Sequence, residues 1–184
     1  MEPSESDNLF MVVKSSDGGR SWREVGGGSR PATGDLESVD ARLVGDTLHI
    51  IQQVTESTRY HTFHTADHPE NPDAWAITDE LATEVTARAQ MATLVVRSDG
   101  SLVVFHLGDT LGYSVRSPTG SWSDETLLDA GDVDVELAGP QAVLAADDRV
   151  HVAYYRMDGS IWYRRLTAEG RLTSAAACRW SRNR

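Results

Sequence analysis

The stretch LFMVVKSSDGGRSWREV, at residues 9–25, decides the fold of this chain. An apolar run ends at Ser15, a polar stretch with two glycines follows, and Trp22 opens a second short run. Short apolar or alternating runs bounded by Gly, Asp and Ser are typical of β-strands joined by tight turns. The stretch therefore predicts two antiparallel strands with a turn between them at residues 15–21.

Strand-length runs of the same kind recur along the whole chain, and no segment keeps a helical period. One set of corresponding positions, 54 and 48 residues apart, is Leu48, Leu102 and Val150. A second set, 53 and 50 residues apart, is Tyr60, Tyr113 and Tyr163. A repeat of about fifty residues that holds four short strands is typical of a β-propeller blade.

The repeat predicts an all-β chain, a partial β-propeller of about three and a half four-stranded antiparallel blades. We expect a disordered leader at 1–8 and a single propeller-type domain at 9–184. Within this domain the expected units are a half blade at 9–26 and full blades at 36–80, 90–129 and 140–180.

The first turn matches a short motif, S-x-D-x-G-x-[ST]-W, at every fixed position: Ser15, Asp17, Gly19, Ser21 and Trp22. It resembles the Asp-box, or BNR repeat, of the sialidase-like propellers, in which the box joins the third and fourth strands of a blade. Asp17 is expected to accept backbone N–H groups of its own turn, and Gly19 to take a positive φ. Trp22 is expected to pack beside the next sheet. The role of the motif is thus structural.

The composition excludes several classes of partner. The net charge of −11 and the absence of a basic patch predict that the chain binds no nucleic acid. No apolar run is long enough to span a membrane, and no signal peptide is visible, so a cytoplasmic location is expected, or secretion if the N-terminus is truncated. The single cysteine, Cys178, excludes an intrachain disulfide. No cofactor is expected, since nucleotide-binding motifs are missing, and the spacing of His61, His64 and His68 gives only a weak indication of a metal.

The number of repeats leaves the ring of blades incomplete. A β-propeller hides its sheet edges by closing into a ring, and an open half-ring would expose apolar faces. Two explanations remain. The chain is a fragment of a longer protein that carries the remainder of the propeller, or two copies close a ring as a homodimer.

The resemblance places binding on the face opposite to the Asp-box turns, where the loops between second and third strands meet the crossovers between blades. Carboxylates, arginines and a tyrosine at these loops suit a glycan or a sugar-acid ligand. The candidate substrate-binding residues are Asp35, Glu37, Arg88, Glu136, Tyr155 and Arg156.

The sequence therefore predicts carbohydrate recognition, as part of a sialidase-like (BNR-repeat) glycoside hydrolase-type propeller. The arginine signature F/Y-R-I-P of sialidases is absent, so no catalytic residue is assigned and enzymatic activity stays open. The alternatives are a non-catalytic propeller that serves as a scaffold for protein partners, and a gene fragment without a function of its own.

Overall fold

The computed structural model describes residues 9–10, 13–24, 30–31, 36–54, 57–64, 77–81, 91–107, 111–129, 139–156 and 158–178. Every regular element in these ranges is a β-strand, and none of them contains a helix that could cross a bilayer. The leader at 1–8 lies outside the described residues. The strands are β1 (Leu9–Phe10), β2 (Val13–Lys14), β3 (Arg23–Glu24), β4 (Arg30–Pro31), β5 (Leu36–Val44), β6 (Thr47–Val54), β7 (Ser57–His64), β8 (Ile77–Leu81), β9 (Met91–Val96), β10 (Leu102–Leu107), β11 (Leu111–Arg116), β12 (Thr126–Asp129), β13 (Gln141–Leu144), β14 (Val150–Tyr155), β15 (Ile161–Leu166) and β16 (Ala176–Cys178).

Three four-stranded antiparallel sheets follow one another along the chain, and we call them blades 2, 3 and 4. They contain β5 to β8, β9 to β12 and β13 to β16, each in sequential order. The first strand of blade 3 contacts the first strands of both neighbouring blades, so the first strands lie at the centre. Before them, β1 pairs with β4 and β2 pairs with β3, and we call these four short strands the first hairpin. The arrangement is the predicted partial β-propeller.

The predicted repeat is visible in the register of the blades. Tyr60 pairs with Ile51, Tyr113 pairs with Phe105, and Tyr163 pairs with Ala153. Each of these partners lies three residues after its marker in the set Leu48, Leu102 and Val150. Equivalent positions of the sequence repeat therefore occupy equivalent positions in space.

The turns after the third strands of blades 3 and 4 are also equivalent. Backbone bonds from Gly120 N to Ser117 O and from Ser117 N to Ser121 O close the first turn. Fifty residues on, Gly170 N to Thr167 O and Thr167 N to Arg171 O close the second turn. In each turn the opening hydroxyl accepts a further N–H, from Ser121 or Arg171. Both turns close without the aspartate of the Asp-box.

Blade 3 is buried on both faces because it lies between two sheets. Side chains of alternate positions in a strand point to opposite faces. Leu94 and Val104 belong to the apolar cluster shared with blade 2, whereas Val95 and Phe105 belong to the cluster shared with blade 4. Accordingly every residue of β10 is buried.

Polar contacts fix how neighbouring blades align. At the centre, the Asp40 carboxylate of blade 2 accepts hydrogen bonds from Thr93 Oγ1 at 2.7 Å and from Leu94 N at 3.0 Å, both in blade 3. On the side of the turns, Asp148 of blade 4 accepts a hydrogen bond from the backbone N of Ser98 in blade 3 at 3.0 Å. These bonds set the register that apolar packing alone leaves free.

Packing between blades predicts different costs for two identical substitutions. Leu107→Ala removes a side chain that is 1% exposed, and we expect it to lower the free energy of unfolding by about 2–5 kcal/mol. Leu127→Ala, at a side chain that is 50% exposed, should change it by less than about 0.5 kcal/mol. Urea denaturation of both variants checks this, and equal losses would contradict the assignment of the core.

Candidate functional site

A charged pair joins blades 3 and 4 at the end of the sheets opposite to the turns described above. Asp129 is the last residue of β12, and Arg156 directly follows β14. The guanidinium donates from Nε to Asp129 Oδ2 at 3.0 Å and from Nη2 to Oδ1 at 2.8 Å. The Asp129 side chain is 6% exposed and that of Arg156 is 26% exposed. A two-pronged pair of this kind fixes the orientation of the guanidinium plane.

Trp162 of β15 lies under the same guanidinium. The Arg156 Cζ atom is 3.7 Å from the centroid of the indole ring, which is a cation–π contact. The indole Nε1 donates to Ser160 Oγ at 2.6 Å, and Ser160 Oγ donates in turn to Asp158. The bond from Ser160 is the main cause that lowers the pKa of the Asp158 carboxyl. The ring is thus held at its edge by the turn between β14 and β15.

Two further polar side chains reach this junction. Tyr154 is buried, and Arg164 donates to the carbonyl oxygen of Leu128. Arg164 Nε is buried and has no hydrogen-bond partner in the part of the chain that the structure describes, whereas the buried Tyr154 hydroxyl lies beside the Asp129 carboxylate. Burial, followed by the nearby Asp129 carboxylate, raises the pKa of the Tyr154 hydroxyl, so this group stays protonated and able to donate.

These side chains form what we call the junction cluster: Asp129, Tyr154, Arg156, Trp162 and Arg164. Buried polar atoms that lack a partner are costly, and ordered water or a ligand usually satisfies them. The cluster therefore combines an oriented and partly exposed guanidinium with an aromatic ring beneath it, a set that suits a ligand with hydroxyl groups.

Arg156 is the one predicted site residue that belongs to the junction cluster. Its two-pronged edge, expected to bind a sugar-acid carboxylate, is instead occupied by Asp129. Tyr155 is 40% exposed and points to the opposite face of β14 from Tyr154, because successive side chains alternate. The structure therefore separates Tyr155 from Arg156 at the cluster.

The remaining candidates are not brought to the cluster by any described contact. Glu37 lies in β5 at an irregularity of the register between Leu36 and Ser38. Three others fall outside the described residues: Asp35, Arg88 and Glu136.

Sequence reasoning missed four of the five cluster residues, although a signal was present. In β15, Trp162 and Arg164 are two positions apart, which places both on one face of the strand. Tyr154 and Arg156 have the same spacing at the end of β14. Asp129 ends the fourth strand of blade 3, at the edge of the sheet where β14 of blade 4 also ends. Period-two alternation applied across neighbouring blades would have grouped them.

The position of Tyr154 is polar and buried in all three blades. Its counterparts are Gln52 in blade 2 and His106 in blade 3, and each has a buried side-chain nitrogen without a described partner. Burial lowers the pKa of His106, against a smaller opposing effect of the Glu125 carboxylate, so the imidazole is neutral. Only the junction of blades 3 and 4 adds an arginine stacked on a tryptophan, as far as the described residues show.

The turn at residues 15–22 has the hydrogen bonds expected for Asp17. Asp17 Oδ1 accepts from the backbone N of Arg20 at 3.0 Å and of Ser21 at 2.9 Å, and Oδ2 accepts from Ser21 Oγ at 2.6 Å. Gly19 has φ of 87°. The packing expected for Trp22 is not formed, since this side chain is 63% exposed. The reason is that the indole lies beyond the end of a two-stranded pairing, where no described apolar cluster reaches it.

The histidines at 49, 61 and 151 form hydrogen bonds between strands of their own sheets. In blade 2 a hydrogen bond of 2.7 Å joins His49 Nδ1 to Tyr60 Oη, and the equivalent bond in blade 4 joins His151 to Tyr163 at 2.6 Å. His49 and His151 therefore have the same structural role at equivalent positions of the repeat. His61 contacts Gln52 across a strand pair, and the described residues contain no group of three potential metal ligands.

Comparison with known proteins supports the fold. No family model matches the chain, and no curated protein matches it. Among solved structures, it is similar to the lectin BP39L from Burkholderia pseudomallei (13% identity, TM-score 0.64, covering 85% of this chain and 45% of that one). It is also similar to a protein of unknown function from Dyadobacter fermentans (19% identity, TM-score 0.61, covering 92% of this chain and 52% of that one). A third similar structure is the fungal Aleuria aurantia lectin, a six-bladed β-propeller that recognises fucose (16% identity, TM-score 0.55, covering 89% of this chain and 52% of that one). The chain spans about half the length of each, and at these identities the likeness shows the β-propeller fold alone.

The charged pair in the junction predicts a large effect of one substitution. Asp129→Ala leaves the partly buried Arg156 without its counter-charge, and we expect a loss of about 2–4 kcal/mol in the free energy of unfolding. Asp147→Ala is the matched control, because Asp147 and Arg149 form an exposed pair, and it should cost less than about 1 kcal/mol. Chemical denaturation measures both, and similar values for the two variants would contradict the structural role of Asp129.

The hydrogen bonds to Asp17 predict that the turn at residues 15–22 is sensitive to acid. Hydrogen bonds, first from the Ser21 hydroxyl, lower the pKa of Asp17 to about 2. Because this folded-state pKa lies below the ordinary value of 3.8, the ionised carboxylate favours the turn above that pH, and its contribution is lost as the pH falls towards 2. A ¹³C NMR titration of the Asp17 carboxyl should give this midpoint, and Ser21→Ala should raise it. A midpoint near 3.8 in the parent chain would show that the turn does not hold Asp17 as described.

Proposed function

We propose that the chain recognises carbohydrate through the junction cluster between blades 3 and 4. The observation that carries this proposal is the Arg156 guanidinium, stacked on Trp162 and oriented by the buried Asp129. Within the described residues, Arg156 Nη1 makes no hydrogen bond, and the side chain keeps 26% exposure. The guanidinium is thus rigid and retains donors for a ligand.

The chemistry of the cluster favours a neutral sugar. A sugar offers hydroxyl oxygens that can accept hydrogen bonds from the exposed part of the Arg156 guanidinium. Because Asp129 already neutralises Arg156, the attraction for a free carboxylate is reduced. Of the two ligand types that the sequence suits, a glycan and a sugar acid, a neutral sugar unit therefore fits the described charges better.

The structural neighbours support the same class of ligand. Two of the similar propellers are lectins, and one of them recognises fucose. Their identities to this chain, 13% and 16%, do not carry individual residues across. They support the proposal at the level of the fold, because concave sites between packed elements are where small ligands usually bind.

A sialidase-like glycoside hydrolase is the second candidate, and the formed Asp-box turn at Ser15 to Trp22 favours it. Glycoside hydrolysis requires acid and base groups around the bond that is cleaved. In the junction cluster the one carboxylate, Asp129, is engaged by Arg156. Hydrolysis of a fluorogenic sialoside by the chain would support this candidate over the lectin.

Sugar binding tests the proposal directly. We expect the purified chain to bind neutral glycans on an array, and titration calorimetry with L-fucose, D-galactose and D-mannose then identifies the unit. Trp162→Ala and Arg156→Lys should each weaken binding at least about tenfold, since they remove the ring or its oriented partner. Arg149→Lys, an exposed arginine of the same blade, is the matched control and should leave affinity unchanged.

Circular dichroism establishes that each variant is folded. A folded chain that binds no glycan, or a Trp162→Ala variant with the affinity of the parent, would contradict the proposal. Absence of glycan binding together with stable capture of a defined protein partner would favour the scaffold alternative.

A further inference from the structure

We infer that the face of blade 4 on which no described sheet packs binds the first hairpin of a second copy of this chain, so that two copies close one ring head to tail. This inference concerns assembly and does not depend on the proposed sugar site. A second copy fits this face because the two surfaces that would meet repeat a contact already formed within the chain.

The open face of blade 4 corresponds to a buried face of blade 3. By register, Val143 is equivalent to Val95, and Tyr155 is equivalent to Leu107. Val95 and Leu107 are 2% and 1% exposed, because blade 4 covers them, whereas Val143 and Tyr155 are 60% and 40% exposed. Blade 4 thus exposes a face whose equivalent in blade 3 is buried in an interface, and no described sheet packs on it.

A specific aromatic contact shows what such a face binds. In blade 2, Tyr60 is bonded to His49 and is covered by blade 3, whose Trp122 meets it edge-on at 6.3 Å between ring centroids. The Arg116 guanidinium of blade 3 also lies over the Tyr60 ring, at 4.9 Å. Tyr60 is consequently 2% exposed.

Blade 4 contains the same histidine–tyrosine pair that blade 2 contributes to this contact. His151 and Tyr163 occupy the positions of His49 and Tyr60 and form the same hydrogen bond, at 2.6 Å. Tyr163 is only partly buried, and among the described residues its ring contacts no aromatic side chain besides His151.

The first hairpin contains a counterpart of the tryptophan that blade 3 contributes to this contact. Its turn ends in Ser21-Trp22, as the turn of blade 3 ends in Ser121-Trp122, and Trp22 is 63% exposed. In sequence, Lys14 directly precedes the serine that opens this turn, as Arg116 does in blade 3. One copy therefore offers a tryptophan of the kind that the Tyr163 face of another copy would bind.

A two-fold axis turns this head-to-tail contact into a closed pair. Each copy would use its first hairpin on one side and its blade 4 on the other, so the pair contains two identical contacts and leaves neither surface free. The propellers to which the chain is similar are about twice its length, which is the length that two copies supply.

Mass measurement tests the inference. By light scattering at about 20 µM, the parent chain should have twice its mass of 20.1 kDa. Trp22→Asp and Tyr163→Asp should each raise the dissociation constant at least about 30-fold, since a buried charge replaces an aromatic anchor. Leu127→Asp places the same charge on an apolar side chain that is 50% exposed and outside both surfaces, and it should leave the mass of the pair unchanged.

Mixing the two variants distinguishes a head-to-tail contact from misfolding. The Trp22→Asp chain keeps an intact blade 4 face, and the Tyr163→Asp chain keeps an intact Trp22, so an equimolar mixture should regain heterodimers through one intact contact. A monomeric parent chain, a Trp22→Asp variant that still pairs, or a mixture that stays monomeric would each overturn the inference.

Discussion

Burial of apolar sheet faces between successive blades is the constraint on which the structure depends. Each sheet exposes two faces, and a single four-stranded sheet has no core of its own. Blade 3 solves this by packing on blade 2 with one set of alternate residues and on blade 4 with the other. The same requirement recurs with every repeat, so the sequence keeps a period of about fifty residues and places equivalent residues in equivalent contacts.

The junction cluster is a product of this packing. Asp129 belongs to blade 3 and Arg156 to blade 4, and they meet because both sheets end their second and fourth strands on the same side. The apolar layer around Leu128 and Tyr154 shields the Asp129 carboxylate from water and so strengthens its bonds to Arg156. A ligand at this place would contact two blades at once, which links recognition to the integrity of the stack.

The fold was predictable from the sequence to a greater extent than the site was. The tyrosine set at 60, 113 and 163 predicted the register, because a repeat must reproduce its cross-strand partners. Arg156 was identified by its loop position, but its partner Asp129 was not, since the two are 27 residues apart and meet only across a junction. Trp22 shows the opposite case: its turn followed from local chemistry, whereas its exposure depends on which sheet lies beside it.

Contact between the Tyr60 and Trp122 rings is the most direct test of this account, because it joins residues of different blades through side chains alone. A ¹H NOESY spectrum with selectively labelled tyrosine and tryptophan measures it. The packing of blade 3 on blade 2 predicts cross-peaks between the Tyr60 ring protons and the Trp122 indole. A folded, all-β chain that lacks these cross-peaks would contradict the stacking of blades from which the junction cluster and the paired ring both follow.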